Sequence, residues 1–232
     1  MKEKATLASL SPYVPGRPIA DVQKEFKLDK VVKLASNENP FGFSQRVQEA
    51  LAQSLTGLEY YPDGGAKALK EAIANVNQVP EERILVGAGL DDVIQIISRS
   101  LLSPEDEIIV ADPTFSQYEL HAVIEGAKVV KVPVKQSSGE MDLEAMLEAI
   151  TAKTKIIWLC NPNNPTGTYL PQSLIRAFIE KVPTDVLVIS DEAYQEYVTD
   201  EAISTSLPLL ETLSNIIVMR TFSKAYGLAG LR

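Results

Sequence analysis

Lys224 closes the string Thr221-Phe222-Ser223-Lys224, directly after an apolar run and shortly before Gly227, Gly230 and Arg232. A lysine among small and hydroxyl residues at a strand end is not an ordinary solvated charge. Lysine amines become nucleophiles where burial or a neighbouring charge destabilises the ammonium form. One apolar run earlier, Asp191-Glu192-Ala193-Tyr194 sets an acid at a strand end with a tyrosine close behind. That acid is open to several uses: a magnesium ligand, a helix cap, or the partner of a heterocycle's ring nitrogen. One run before that lies Asn161-Pro162-Asn163-Asn164-Pro165-Thr166-Gly167. Prolines and a glycine fix this backbone, so an amide can be aimed at little entropic cost; a rigid turn with an asparagine cap is an equal reading. Gly87-Ala88-Gly89-Leu90-Asp91-Asp92 is a glycine turn feeding a helix, whose N–H groups and positive dipole end suit a phosphate. A plain strand–helix turn explains it as well, and it lacks the third glycine of a dinucleotide fingerprint.

These candidates need elements that bring them together. From residue 84 onward, short apolar, largely β-branched runs recur at 84–89, 107–113, 127–134, 155–162, 185–192 and 215–222. Runs of this kind read as strands buried on both faces. Amphipathic stretches at 90–102, 116–126, 142–150 and 171–181 lie between them, with prolines at or beside their boundaries. The alternation predicts an α/β fold: a three-layer α/β/α domain around a mostly parallel sheet. Ligands of such sheets collect at the carboxyl ends of the strands, where the residues above fall. Helices are also expected over 44–55 and 65–76. Residues 1–43 hold the turn-rich strings PYVPGRP and SNENPFG and read as an arm that crosses the surface and contributes loops. Residues 44–232 read as the large domain. The glycine-containing run before Arg232 reads as leading into more structure, so a truncated chain lacking a second domain is expected.

Composition narrows the function classes. The chain has 232 residues, 45% hydrophobic and 23% charged, with a net charge of -9. That balance fits a soluble globular protein and disfavours a nucleic-acid partner, which asks for a basic face. Cys160 is the single cysteine, so no internal disulfide forms, and His121 is the single histidine, so no His-based triad or multi-histidine metal site exists. Neither a signal peptide nor a membrane-spanning apolar stretch is present, which makes cytoplasm the default. A nucleotide-binding module is the reading from another class, but the G-x-x-x-x-G-K-[ST] string is missing.

Taken in order, SPYVPGRP, LASNENPFG, YYPDGGAKAL, VGAGLDDVI, DPTFSQY, CNPNNPTG, ISDEAY and RTFSKAYGLAGLR resemble the fold type I pyridoxal-phosphate enzymes. The resemblance is to the histidinol-phosphate aminotransferases among them, and it runs from the arm to the last residue. It implies pyridoxal 5'-phosphate as cofactor, held by Lys224 as a Schiff base, with the freed amine then moving the substrate's proton. It implies that Asp191 pairs with the pyridine nitrogen and that Asn164 and Tyr194 hydrogen-bond the ring 3'-oxygen. Phe115 matches the aromatic that stacks on the ring; a core phenylalanine is an equal reading. Gly89, Leu90, Thr221, Ser223 and Arg232 would cup the phosphate, and Tyr61 would reach the phosphate of a neighbouring subunit in a homodimer with shared active sites. Tyr13 and Asn39 lie in segments that face substrate. The implied reaction transfers an amino group from L-histidinol phosphate to 2-oxoglutarate, giving imidazole-acetol phosphate and glutamate, in histidine biosynthesis. An aromatic-amino-acid aminotransferase, a threonine-phosphate decarboxylase and an inactive truncated cofactor-binding protein are the alternatives. Relatives bind the substrate's anionic group through C-terminal arginines that do not occur in these residues.

Overall fold

The computed structural model describes residues 4–10, 16–200 and 205–231. Its centre is a five-stranded sheet in the order β2-β1-β3-β4-β5, with every neighbouring pair parallel. The strands are β1 (Glu107–Asp112), β2 (Lys128–Pro133), β3 (Thr154–Cys160), β4 (Leu187–Asp191) and β5 (Ile216–Met219). The helices are α1 (Ile19–Phe26), α2 (Gln45–Gln53), α3 (Lys67–Asn77), α4 (Leu90–Leu101), α5 (Gln117–Glu125), α6 (Leu143–Glu148) and α7 (Gln172–Ile179).

The apolar runs are continuous because both faces of the sheet are covered. Ile108, Val110, Ile156, Trp158 and Ile189 join Ile94, Tyr118 and Ala122 of α4 and α5 in one core. The alternate positions Ile109, Ala111, Ile157, Leu159 and Val188 join Met146, Ile175 and Phe178 of α6 and α7 in the other. Each fully buried aliphatic side chain contributes roughly 1.5–3 kcal/mol. The three layers expected from the alternation are present.

Chain order sets the position of the cleft. α5 connects β1 to β2 on one face, and α6 carries the chain back across β1 to β3 on the other. The winding therefore reverses between β1 and β3. A crevice opens outside the strand ends at such a reversal, and here it is walled by the loops after Asp112 and Cys160.

Two elements differ from the expectation. Residues 84–87 form no strand and join no ladder among the described residues, and Leu85 is exposed. An apolar run becomes a strand only where a neighbouring backbone takes its N–H and C=O groups. The arm contains α1, a helix not expected there. Pro18 precedes it, Asp21 lies in its first turn and Lys27 closes it in the left-handed conformation, with Leu28 N–H donating to the Gln23 carbonyl at 3.1 Å.

Candidate active site

Asp191 ends β4 with its side chain on the face covered by α5, two positions on from the core residue Ile189. It is buried. Its Oδ1 accepts from the Ala193 N–H at 3.0 Å and its Oδ2 from the Tyr118 hydroxyl at 2.5 Å. Burial is the main influence on this carboxyl and pushes its pKa up to about 6, while the two donors hold it down. It is therefore ionised at neutral pH, inside a low-dielectric layer, with acceptor capacity left over.

Tyr118 was passed over in the sequence, though it lies in the string DPTFSQY that supplied Phe115. It is fully buried, stacks on Trp158 with ring centroids 4.5 Å apart, and meets Phe115 edge-on at 5.6 Å. The signal available was proximity in sequence: Tyr118 lies three residues after Phe115, in the same short string. Phe115 itself is part-buried at the mouth of the crevice.

The loop after β3 is braced from within. Asn163 is buried; its amide donates to the Pro113 carbonyl at 3.1 Å and to Thr166 Oγ1 at 2.9 Å, and accepts from Thr114 at 2.8 Å. It thereby ties the loop that carries Asn164 to the loop that carries Phe115. Asn164 is part-buried on the same loop. Tyr194 follows Asp191, its hydroxyl accepting from the Asn37 amide at 3.0 Å. Burial raises the Tyr194 pKa and the Asn37 contact offsets part of that.

Lys224 stands on a turn after β5, closed by Gly227 N–H donating to the Lys224 carbonyl at 2.9 Å. Its amine donates to the Ser36 carbonyl at 3.1 Å and lies 5.7 Å from the centroid of the Tyr194 ring. The arm clasps this turn at further points. Asn39 donates to the Ala225 carbonyl at 2.9 Å, and Gly227 has φ +70 with the Gly42 carbonyl so near that an added Cβ would sit 2.1 Å from its oxygen. Only glycine fits there. Ser36 and Asn37 are both left-handed, with φ 67 and 51, and that backbone turn presents the Ser36 carbonyl to Lys224 and the Asn37 amide to Tyr194. Neither residue was singled out in the sequence, because their role rests on backbone conformation.

Near the same strand end, Thr221 Oγ1 donates to Ser223 Oγ at 3.0 Å and accepts from the Ser223 N–H at 3.1 Å. At the start of α4, Gly89 has φ 93 and its N–H donates to the Gly87 carbonyl at 2.8 Å. The Leu90 N–H then begins the helix's first turn, where N–H groups lack intrahelical acceptors. Tyr61 is fully exposed. Tyr13 and Arg232 lie outside the described residues.

A cleft of about 340 Å³ opens beside Asn37, Asn164 and Tyr194, with Tyr169, Tyr197 and Asp200 on its outer wall. Cys160, at the end of β3, is buried and its thiol pKa is pushed up to about 12 by burial and by Asp191, so it is no nucleophile. His121 is part-buried on α5, and burial lowers its pKa. Among the described residues, no cluster of His, Cys, Asp and Glu could hold a metal ion, and no helix is long and apolar enough to cross a membrane.

The aminotransferase class I and II family matches residues 29–232. A histidinol-phosphate aminotransferase of Bacillus cytotoxicus is 54% identical over 232 residues, which is 100% of this chain and 62% of the relative. The crystal structure of histidinol-phosphate aminotransferase from Sinorhizobium meliloti in complex with pyridoxal-5'-phosphate superposes with a TM-score of 0.86 at 27% identity, covering 99% of this chain and 61% of that one. The L-threonine-O-3-phosphate decarboxylase from Porphyromonas gingivalis gives a TM-score of 0.73 at 26% identity, over 87% of this chain and 58% of that one. The chain spans 62% to 64% of the length of the first curated relatives it matches.

Proposed function

The chain belongs to the aminotransferase class I and II family, and from that premise we propose that it supplies the cofactor side of a pyridoxal-phosphate-dependent transaminase. The proposed reaction moves the amino group of L-histidinol phosphate to 2-oxoglutarate, yielding imidazole-acetol phosphate and glutamate. One observation carries the reading: Asp191 is buried at the end of β4, and the Lys224 amine, on the turn after the adjacent β5, lies 5.7 Å from the ring centroid of Tyr194, three residues beyond Asp191. The substrate assignment rests on the likeness to histidinol-phosphate aminotransferases along the whole chain.

The donor set fits the cofactor. A buried carboxylate with unused acceptor capacity suits a protonated ring nitrogen, and hydroxyls and the N–H groups of a helix N-terminus are both groups that suit a phosphate. When bound, pyridoxal phosphate supplies an electron sink for charge developing at the substrate's Cα. Asp191 would keep the ring nitrogen protonated. Tyr194 and Asn164 would hydrogen-bond the 3'-oxygen, and Phe115 would cover the ring. Leu90 N–H, Thr221, Ser223 and Arg232 would hold the phosphate, with Gly89 turning the chain toward it. Lys224 would attach the cofactor through its amine and, once displaced by substrate, take the proton from Cα, already positioned for that transfer. Tyr13 and Asn39 would face the substrate. We also propose a cytoplasmic homodimer in which Tyr61 reaches the partner subunit's phosphate site, with residues 1–43 as the arm and 44–232 as the large domain.

The test is an absorbance spectrum of the full-length protein with pyridoxal phosphate, followed by steady-state turnover. A visible band that vanishes in Lys224→Ala, with activity down by at least about 10³-fold, is expected. No band after incubation with the cofactor overturns the chemistry; equal efficiency with phenylalanine and histidinol phosphate overturns the substrate.

A further inference from the structure

We propose that Tyr118 is a positioning residue whose hydroxyl holds Asp191 as a charged carboxylate of one fixed orientation, ready for a cationic ring nitrogen. The proposal rests on the cofactor reading above, and it concerns a contact inside this chain. Tyr118 has no freedom to turn away: it is fully buried in α5, with one face stacked on Trp158 and its edge against Phe115. Its hydroxyl meets Asp191 Oδ2 at 2.5 Å while the Ala193 N–H meets Oδ1 at 3.0 Å. A carboxylate offers about four acceptor directions. Donors on both oxygens fix the plane of the group and leave the remaining lone pairs for a third donor.

The same contact bears on charge. Burial favours the neutral acid, and the Tyr118 hydroxyl and Ala193 N–H are the forces that oppose it. A protonated Asp191 would carry no charge with which to hold a ring nitrogen in its protonated form. The other titratable groups around the carboxyl are Cys160 on β3, Asp91 on α4, Glu192 beside it and Tyr194 just beyond. Cys160 stays neutral at working pH, its pKa being about 12. Burial holds both tyrosines neutral as well, while Glu192 and Asp91 push the carboxyl further up. Tyr118 is thus the side-chain donor that sustains the charge.

The test is a titration of Asp191 in the full-length protein without cofactor, by carboxyl-carbon NMR, with Asp191→Asn identifying the signal. In Tyr118→Phe the midpoint should rise by about one to two pH units, the span expected when a carboxylate loses a hydroxyl donor. With 3-fluorotyrosine at position 118, a stronger donor of nearly the same shape, the midpoint should fall. Pyridoxal phosphate should bind Tyr118→Phe at least about tenfold more weakly than the parent at about pH 5, below both midpoints, the affinity counterpart of one such unit. An unchanged midpoint in a folded Tyr118→Phe protein overturns the proposal. If that variant does not fold, an unshifted midpoint with fluorotyrosine overturns it. Should the parent protein bind no pyridoxal phosphate, the proposed function fails, while the cofactor-free titration still decides the role of Tyr118.

Discussion

Asp191 closes β4 and Lys224 stands on the turn after the neighbouring β5, yet they are held in opposite ways. Asp191 is sealed in the layer between sheet and α5, its two oxygens bonded from inside the domain core. Lys224 sits part-buried on a turn, its amine on a carbonyl of the arm, in a segment whose own residues are mostly exposed. A group that must keep one charge state inside a buried layer gains from fixed donors that offset the burial. A group that must exchange partners and carry protons gains from a flexible stem and contacts that can be traded. The strand-end side should therefore answer to mutation mainly through stability and charge, and the arm side mainly through turnover.

The sharpest way to break the strand-end side is at Glu192, which is buried directly behind Asp191. Its carboxylate accepts from the Ser206 N–H at 2.5 Å, Thr205 Oγ1 at 2.6 Å, and Arg220 Nε and Nη2 at 3.0 and 2.9 Å. Arg220 immediately precedes Thr221, so this pair locks the ends of β4 and β5 to one another. Glu192→Ala strands a buried N–H and one side of a guanidinium. Because Arg220 is partly exposed and can turn to water, a loss of about 3 kcal/mol is expected, at the lower end for broken buried pairs. Denaturant unfolding measures it. A loss under about 1 kcal/mol would show that the strand ends are not braced there.

Much of this side was legible in the sequence, and the reason is physical. Strands buried on both faces write continuous apolar runs, and the polar residues that interrupt them mark the strand ends, so Asp191, Asn164 and Lys224 stood out. Tyr118 did not, because a tyrosine on an amphipathic helix looks the same whether it points at a carboxylate or at an aliphatic core. Its partner is set by how α5 lies on the sheet, which stacks the ring on Trp158 of β3 and brings the hydroxyl to the end of β4. Asn163 was hidden by its neighbour for a similar reason: of two adjacent asparagines, only the fold decides which is braced inward. The arm was the least legible. Its contribution lies in left-handed backbone at Ser36 and Asn37 and in a close approach of Gly42 to Gly227, none of which leaves a periodic pattern. The run at 84–87 misled because apolar content alone does not supply a pairing partner.

A smaller effect separates charge from packing on the strand-end side. The Asp191 carboxyl has a folded pKa of about 6, above its ordinary value of 3.8. Folding thus takes up a proton between those values. The stability tied to this group is full below about pH 4 and is lost as pH rises through about 6. Asp191→Asn removes that dependence. Without cofactor, the variant should lose the fall in melting temperature between pH 4.5 and 7.5 that the parent shows, and at pH 7.5 it should be more stable by on the order of 1–2 kcal/mol. A parent whose stability rises steadily across that window would contradict the burial argument.

The smallest stability effect is expected on the arm, where it tests the other half of the comparison. Asn39 donates to the Ala225 carbonyl at 2.9 Å and accepts from the Phe41 N–H at 3.0 Å. Both bonds lie in a part-exposed loop, where water replaces a lost partner, so Asn39→Ala should cost no more than about 1 kcal/mol of global stability. Its effect on chemistry should be larger, because Ala225 follows Lys224 and the lost bond is one of those that aim the lysine turn. The near contact of Gly42 with Gly227 remains, so the turn loosens without detaching. Turnover should fall about tenfold with KM within about twofold, the pattern of a displaced proton-transfer group. A raised KM with unchanged kcat would leave Asn39 only its substrate-facing role, with no hold on the turn. A stability loss as large as that of Glu192→Ala would erase the distinction between the two sides.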